Sequence, residues 1–276
     1  MKKKTLQNSH YARLRHQYHD IKGAPSRSFI HPKKEAPSLP QEVIRLYGIH
    51  SVQAAFKNPK RIFKCLYATQ NALKRLNMSE SGYPCPVTLC TPKYLDSLVG
   101  SEAVHQGIVL ETFPLQPCQL SKLTNTDLVI VMDQITDPHN VGAIMRSAVA
   151  FKAKALITTY RHSPHESGVL AKAASGALEM IHYITVRNLA EALQELHQTG
   201  FTSFGLDSES DQPLEITLTG NKIALVLGAE GKGLRKKTRE TVCTLARLDM
   251  PGNIKSLNVS NAATLALYMA HKYLRF

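Results

Sequence analysis

The sequence predicts an α/β protein in which a small mixed unit precedes a larger one built on a largely parallel, helix-covered sheet. Three observations carry that expectation. Apolar residues make up 43% of the 276-residue chain, enough to bury a sizeable core in one or two compact domains. Runs rich in Val, Ile and Leu alternate with segments of helical period. A polar stretch bearing Pro114 and Pro117 breaks that alternation once, between Pro114 and Asn125.

From the amino end, residues 1–40 hold nine Lys or Arg against Asp20 and Glu35, a net +7. With few apolar residues and with Pro25, Pro32 and Pro37, this segment has little burial to offset the entropy of ordering. It is expected to be a basic flexible tail that grips RNA non-specifically, or a solvated extension with no task of its own. A mitochondrial transit peptide fits less well, because the start is Lys-rich and His residues are scattered through it.

Residues 41–114 read as alternating short elements: Ile44–Ile49, Ser51–Phe56, Phe63–Ala68, Ala72–Leu76, Val87–Leu89, Tyr94–Val99 and Gly107–Glu111. At roughly 70 residues this unit is near the lower limit for an independent core. A linker is expected over 115–126. The second domain, 127–276, has β-like runs at Leu128–Met132, Ala155–Thr158, Ile181–Val186, Phe201–Gly205, Ile223–Leu227 and Thr244–Leu248, with helical patterns between. The segment Asn188–Gly200 shows the logic: Asn188 caps, Glu191 completes a capping box, Leu189, Leu193 and Leu196 share a face, and Gly200 stops the helix.

The balance of 34 Lys and Arg against 21 Asp and Glu, net +13, favours a polyanionic partner such as nucleic acid or an acidic membrane surface. Five cysteines, an odd number with no CxxC, suggest neither a disulfide framework nor a zinc finger. No apolar run approaches the roughly 18 residues of a membrane span, and no secretory signal is apparent. A soluble, cytoplasmic protein is expected, or one of the mitochondrial matrix if eukaryotic. His162, His165 and Glu166 imitate metal ligands but lack a partner cluster, so no metal is expected.

Three loops carry the chemistry. The first, Asp133 to Arg146, leaves an apolar strand and enters a helix, where open α/β sheets bind ligands. Asn140 there reads as an N-cap, and Arg146 interrupts an otherwise small and apolar helix. The second, Gly228-Ala229-Glu230-Gly231-Lys232-Gly233, follows a buried strand. Its GxxGxG spacing satisfies neither the dinucleotide nor the P-loop pattern. The third, Leu248 to Ser260, offers Ser256, Asn258 and Ser260 ahead of an Ala-rich helix, and reads either as a ligand-facing entry or as a capped terminal helix.

Taken in this order, the three loops resemble the motifs of the SpoU, or TrmH, family of RNA ribose 2′-O-methyltransferases of the SPOUT class. Tyr47-Gly48-Ile49-His50-Ser51-Val52 and His105-Gln106-Gly107-Ile108 are similar to the substrate-binding domain of the bacterial 23S rRNA guanosine branch. The resemblance implies a SPOUT-type sheet with a carboxyl-terminal trefoil knot, preceded by a domain like ribosomal protein L30e. It implies a homodimer and S-adenosylmethionine held around Gly228, Leu248 and Leu257. It carries the polar active-site positions onto Asn140, Arg146, Glu230, Ser256 and Asn258. Arg146 would stabilise alkoxide charge, with proton removal by a deprotonated Arg146 as the alternative. Asn140 and Ser256 would orient it, Glu230 would hold the glycine loop or the arginine, and Asn258 would shape the cofactor pocket. Lys152 stands where the motif usually has glycine, Asp249 where it often has proline, and Asn261 where an apolar residue is usual. The implied reaction is methylation of a large-subunit rRNA guanosine. A tRNA guanosine target or a non-catalytic ribosome-assembly factor is the alternative.

Overall fold

The structure is a computed structural model that describes residues 42–78, 82–123, 125–254 and 256–275. The basic tail expected over 1–40 lies outside them. The first elements are β1 (Ile44–Tyr47), α1 (Ile49–Lys57), β2 (Phe63–Ala68), α2 (Gln70–Leu76), β3 (Val87–Leu89), α3 (Pro92–Val99) and β4 (Ile108–Thr112). They build a sheet of order β1-β4-β2-β3, with β4 antiparallel to both β1 and β2 and with β3 parallel to β2. Thr69 and Thr91 start α2 and α3 by accepting the backbone N–H of Ala72 and Tyr94, which satisfies donors the helix leaves open. Strand β1 ends at Tyr47 rather than Ile49, because the chain turns at Gly48 directly into α1.

The second set comprises β5 (Leu128–Asp133), α4 (Pro138–Ala150), β6 (Ala155–Thr159), α5 (Gly168–Ala174), β7 (His182–Val186), α6 (Leu189–Gln198), β8 (Thr202–Leu206), α7 (Leu214–Thr217), β9 (Ile223–Gly228), α8 (Lys236–Thr241), β10 (Thr244–Ala246) and α9 (Val259–Arg275). Its six strands run in the order β10-β8-β9-β5-β6-β7, and every neighbouring pair is parallel.

Strand β5 explains why its sequence is continuously apolar rather than alternating. Leu128, Ile130 and Met132 join one core with Ile144 and Met145 of α4 and Leu267 of α9. Val129 and Val131 join another with Leu189, Leu193 and Leu196 of α6. A parallel strand covered by helices on both faces needs apolar residues at every position. Each such side chain contributes about 1.5–3 kcal/mol of burial.

Local chemistry adjusts one expected strand end and shapes two helix ends. Strand β10 stops at Ala246 because Arg247 leaves the ladder: its N–H donates to Gln212, and its carbonyl accepts from Leu214. Asn188 does cap α6, but Glu191 accepts from the Asn188 side chain at 2.6 Å rather than reaching back to the backbone. Lys152 makes the turn out of α4 with φ of 63°, a left-handed conformation that glycine adopts more easily.

Residues 41–276 form one compact unit. Leu46, Leu66 and Leu110 of the first sheet share a continuous core with Ile130 and Leu225 of the second. Between them lies a buried ionic cluster. Arg61, whose side chain is fully enclosed, pairs with Glu166 and with Glu179 at 2.5 Å. Asn58 also donates to Glu179 at 2.7 Å, and the Leu115 N–H donates to Glu166 at 2.9 Å. Residues 115–126 contain a short 3-10 turn, Leu120–Lys122, and rest Cys118, Leu120 and Leu123 on the second core. Among the described residues no helix is long and apolar enough to cross a membrane.

Candidate active site

The site lies at the carboxyl ends of β5, β8 and β9, near the place where the strand order reverses around β5. The first loop enters α4 through Asp137, whose carboxylate accepts the N–H groups of His139 at 3.0 Å and Asn140 at 3.3 Å. The cap is therefore Asp137 and not Asn140. Pro138 explains the choice, since its fixed φ suits the first helical position and places the cap one residue earlier. Asn140 becomes the third helical residue, with its amide available for tertiary contacts.

Those contacts converge on Glu230. Its Oε1 accepts from Asn140 Nδ2 at 3.3 Å, from Asn258 Nδ2 at 2.9 Å and from the Val259 backbone N–H at 3.2 Å. Asn258 Nδ2 also lies 3.0 Å from Asn140 Oδ1, while its own Oδ1 accepts the Ser260 N–H at 2.9 Å. One carboxylate oxygen thus joins all three loops. It also sits at the start of α9, where open N–H groups favour negative charge.

Arg146 and Ser256 are placed differently. Both are exposed, and among the described residues neither side chain has a hydrogen bond or ion pair. The guanidinium is thus uncommitted, six residues beyond Asn140 on α4. Its neighbour Ser147 fixes that helix by a 2.6 Å hydroxyl contact to Thr264 of α9.

A cavity of about 450 Å³ adjoins the junction. Gly228, Leu248 and Leu257, the expected cofactor positions, all line it, as do Glu230 and Ser256. Asn258 is turned to Asn140 and Glu230, and its neighbours Leu257 and Val259 form the wall. Gly228 is required for a steric reason: a Cβ there would lie 2.2 Å from the Gly233 carbonyl carbon. Gly231 and Gly233 take φ of 75° and 64°, which folds the loop back against β9.

Two contributors carried no expectation from sequence. Asp133, fully buried at the end of β5, accepts the Arg235 N–H at 3.0 Å and its Nε at 2.6 Å, anchoring the far side of the glycine loop. Asp207, after β8, lines the cavity and pairs with Arg239. The available signal was a carboxylate at the carboxyl end of an apolar parallel strand.

This geometry coincides with family-level similarity. The model of the SpoU rRNA methylase family matches residues 127–268, and that described as RNA 2′-O ribose methyltransferase substrate binding matches residues 45–118. The chain belongs to the SpoU family. Among curated SpoU relatives, the 23S rRNA (guanosine-2′-O-)-methyltransferase RlmB of Pseudomonas putida is 37% identical, covering 82% of this chain and 95% of the relative. The proteins of that name from Ralstonia nicotianae and Escherichia coli are 36% and 33% identical, again over 82% of this chain and over 94% and 96% of theirs. The fold is shared with the SpoU methyltransferase AviRb of Streptomyces viridochromogenes (TM-score 0.72, 21% identity, 84% of this chain and 90% of that one). A TrmH-family RNA methyltransferase structure from Porphyromonas gingivalis gives 0.70 at 18% identity, over 84% and 90%.

Proposed function

We propose that this protein methylates the ribose 2′-hydroxyl of a guanosine in 23S rRNA, using S-adenosylmethionine. The observation that carries the proposal is the Glu230 junction beside the 450 Å³ cavity, which unites the loops of a SpoU chain.

The cavity fits the cofactor. Its size is in the range of small-molecule sites, and the absence of a Cβ at Gly228 keeps the glycine loop folded close against the strand end. Leu248 and Leu257 offer apolar walls, and the carboxylates of Glu209 and Glu230 suit a cationic ligand. When bound, S-adenosylmethionine supplies an electrophilic methyl group on a sulfonium.

The protein's part is alignment and charge. Glu230 holds Asn140 and Asn258 in fixed positions. Asn140 and Ser256 orient the ribose hydroxyl, and the uncommitted Arg146 guanidinium stabilises the negative charge that develops on its oxygen. Guanidinium groups are poor bases because they stay protonated in proteins, so an electrostatic role accounts for Arg146 without proton abstraction. Positioning and charge stabilisation of this kind supply large rate factors.

The same reading assigns RNA recognition to residues 41–114, as a domain like ribosomal protein L30e, and catalysis to 127–276, with 1–40 as a basic RNA-gripping arm. It includes a trefoil knot. The support is that β10 lies at one edge beyond β8, whereas α9 returns past the cavity to pack on α4 and β9. It also includes a homodimer formed across α9, which presents Leu265 and Tyr268 about half exposed. The same reading places the protein in the cytoplasm, or in the mitochondrial matrix of a eukaryote.

The test is ribose-methylation mapping of rRNA and tRNA from cells with and without the protein, backed by purified enzyme and labelled S-adenosylmethionine. Loss of one 23S guanosine mark, restored by wild type but not by Arg146→Ala, is the expected outcome. A tRNA mark, or RNA binding with no methyl transfer, would replace this reading.

A further inference from the structure

We propose that Tyr160, on the loop that follows β6, is an RNA-base stacking platform that positions the nucleotide beside the target ribose. The inference rests on the function proposed above and extends it to a residue outside the three motif loops.

Strand β6 is hydrogen-bonded to β5, with Met132 opposite Thr158, so the loop after Thr159 emerges beside the loop that carries Asp137 and Asn140. Tyr160 is 62% exposed there although its backbone is fixed, its N–H still donating to Val186 at 2.9 Å. The ring is braced edge-on by His165, with centroids 5.4 Å apart and planes inclined by 62°. An edge-to-face contact covers at most one face of the tyrosine ring, which leaves the opposite face for a base.

The loop is held rather than loose. Thr158 bonds to the Ser163 hydroxyl, Thr159 donates to the Arg161 carbonyl, and the Tyr183 hydroxyl donates to the Pro164 carbonyl at 2.7 Å. Its one carboxylate, Glu166, is turned inward onto Arg61 and the Leu115 N–H. That contact ties the loop to the 41–114 region and removes negative charge from its surface. Residues 160–165 contain no acid, while Arg161, His162 and His165 are exposed. An exposed, pre-positioned aromatic ring flanked by cationic and imidazole groups is what single-stranded RNA recognition uses, because every base offers a π-face and every linkage a phosphate. The cluster that resembles metal ligands in sequence is thereby split: Glu166 serves the buried ion pair, and His165 supports Tyr160.

The test uses the full-length enzyme and a 23S rRNA fragment carrying the mapped guanosine. Tyr160→Ala should raise KM for RNA about tenfold, with S-adenosylmethionine affinity unchanged, and Tyr160→Phe should behave as wild type. His165→Ala should give an intermediate rise. Abasic sites placed singly around the target should reveal one position whose loss weakens wild type about tenfold and leaves Tyr160→Ala unaffected. Equal sensitivity of both proteins at every abasic position, or an unchanged KM in Tyr160→Ala, overturns the platform. Absence of methyl transfer by the wild type would instead overturn the function on which it rests.

Discussion

Asn140 and Glu230, ninety positions apart in the chain, are joined by a 3.3 Å hydrogen bond. Asn258 donates to the same carboxylate oxygen at 2.9 Å. The consequence is mechanical: displacement of any one loop strains the anchors of the other two, so the wall of the 450 Å³ cavity and the start of α4 are held as a unit.

Glu230→Ala should remove that tie. Hydrogen bonds to a charged group contribute about 1.5–3 kcal/mol where buried, and less at an exposed site such as this one. A loss of roughly tenfold in kcat/KM is expected, with weaker S-adenosylmethionine binding by calorimetry. Glu230→Gln keeps one acceptor oxygen and should retain more activity. Equal losses in the two variants would point to charge rather than the hydrogen-bonded junction.

Arg146 makes no bond among the described residues, so its removal should leave the structure intact. Arg146→Ala is expected to lower kcat by about 10²–10³, as loss of a transition-state charge stabiliser does, with cofactor affinity within about twofold of wild type. Arg146→Lys separates the two roles for this residue. An electrostatic role predicts a partly active enzyme whose rate gains little with pH, whereas a rate climbing steeply as pH rises would identify a base.

Gly228→Ala places a methyl group 2.2 Å from the Gly233 carbonyl carbon. The three nearest atoms, the Gly233 carbonyl carbon and oxygen and the Leu234 nitrogen, are all backbone, so relief requires the glycine loop to move. Cofactor binding should be lost, at a stability cost of about 1–3 kcal/mol. Isothermal titration alongside urea unfolding would detect both effects, and unimpaired binding would exclude the packing argument.

The Arg61 cluster should behave as a buried charge does. Arg61→Ala leaves Glu166 and Glu179 without their cation, and a loss of about 3–5 kcal/mol is expected, read as a lowered denaturation midpoint. A change below about 1 kcal/mol would place this ion pair in the class of surface bridges.

Lys152→Gly should be stabilising. At φ of 63° a side chain pays for a left-handed backbone, and relief of about 1 kcal/mol outweighs the entropy glycine adds to the unfolded chain. The expected readout is a raised Tm with unchanged activity, because Lys152 lies outside the cavity wall.

Several elements were legible before folding because their causes are local. The runs Leu128–Met132, Ala155–Ile157 and Ile223–Leu227 at the heart of β5, β6 and β9 are apolar throughout, and α6 announces itself through Asn188 and its leucine stripe. The cap of α4 is Asp137 rather than the expected Asn140: both are good capping residues, and Pro138 between them decides the choice. Asp133 and Asp207 carry no distinctive signal in the sequence because a carboxylate at a strand end is common, and their partners Arg235 and Arg239 lie 102 and 32 positions away.

The sequence by itself determined the alternation of strand and helix, the two-sided burial of the central strands and the three polar loops at their ends. Each follows from side-chain chemistry and from spacing along a few neighbouring residues. Only the tertiary structure decided that Asn140, Glu230 and Asn258 meet at one oxygen, that Arg146 remains uncommitted, and that Glu166 faces inward to leave Tyr160 exposed. Those outcomes depend on strand order and helix docking, which bring together residues whose sequence separation carries no information about their distance.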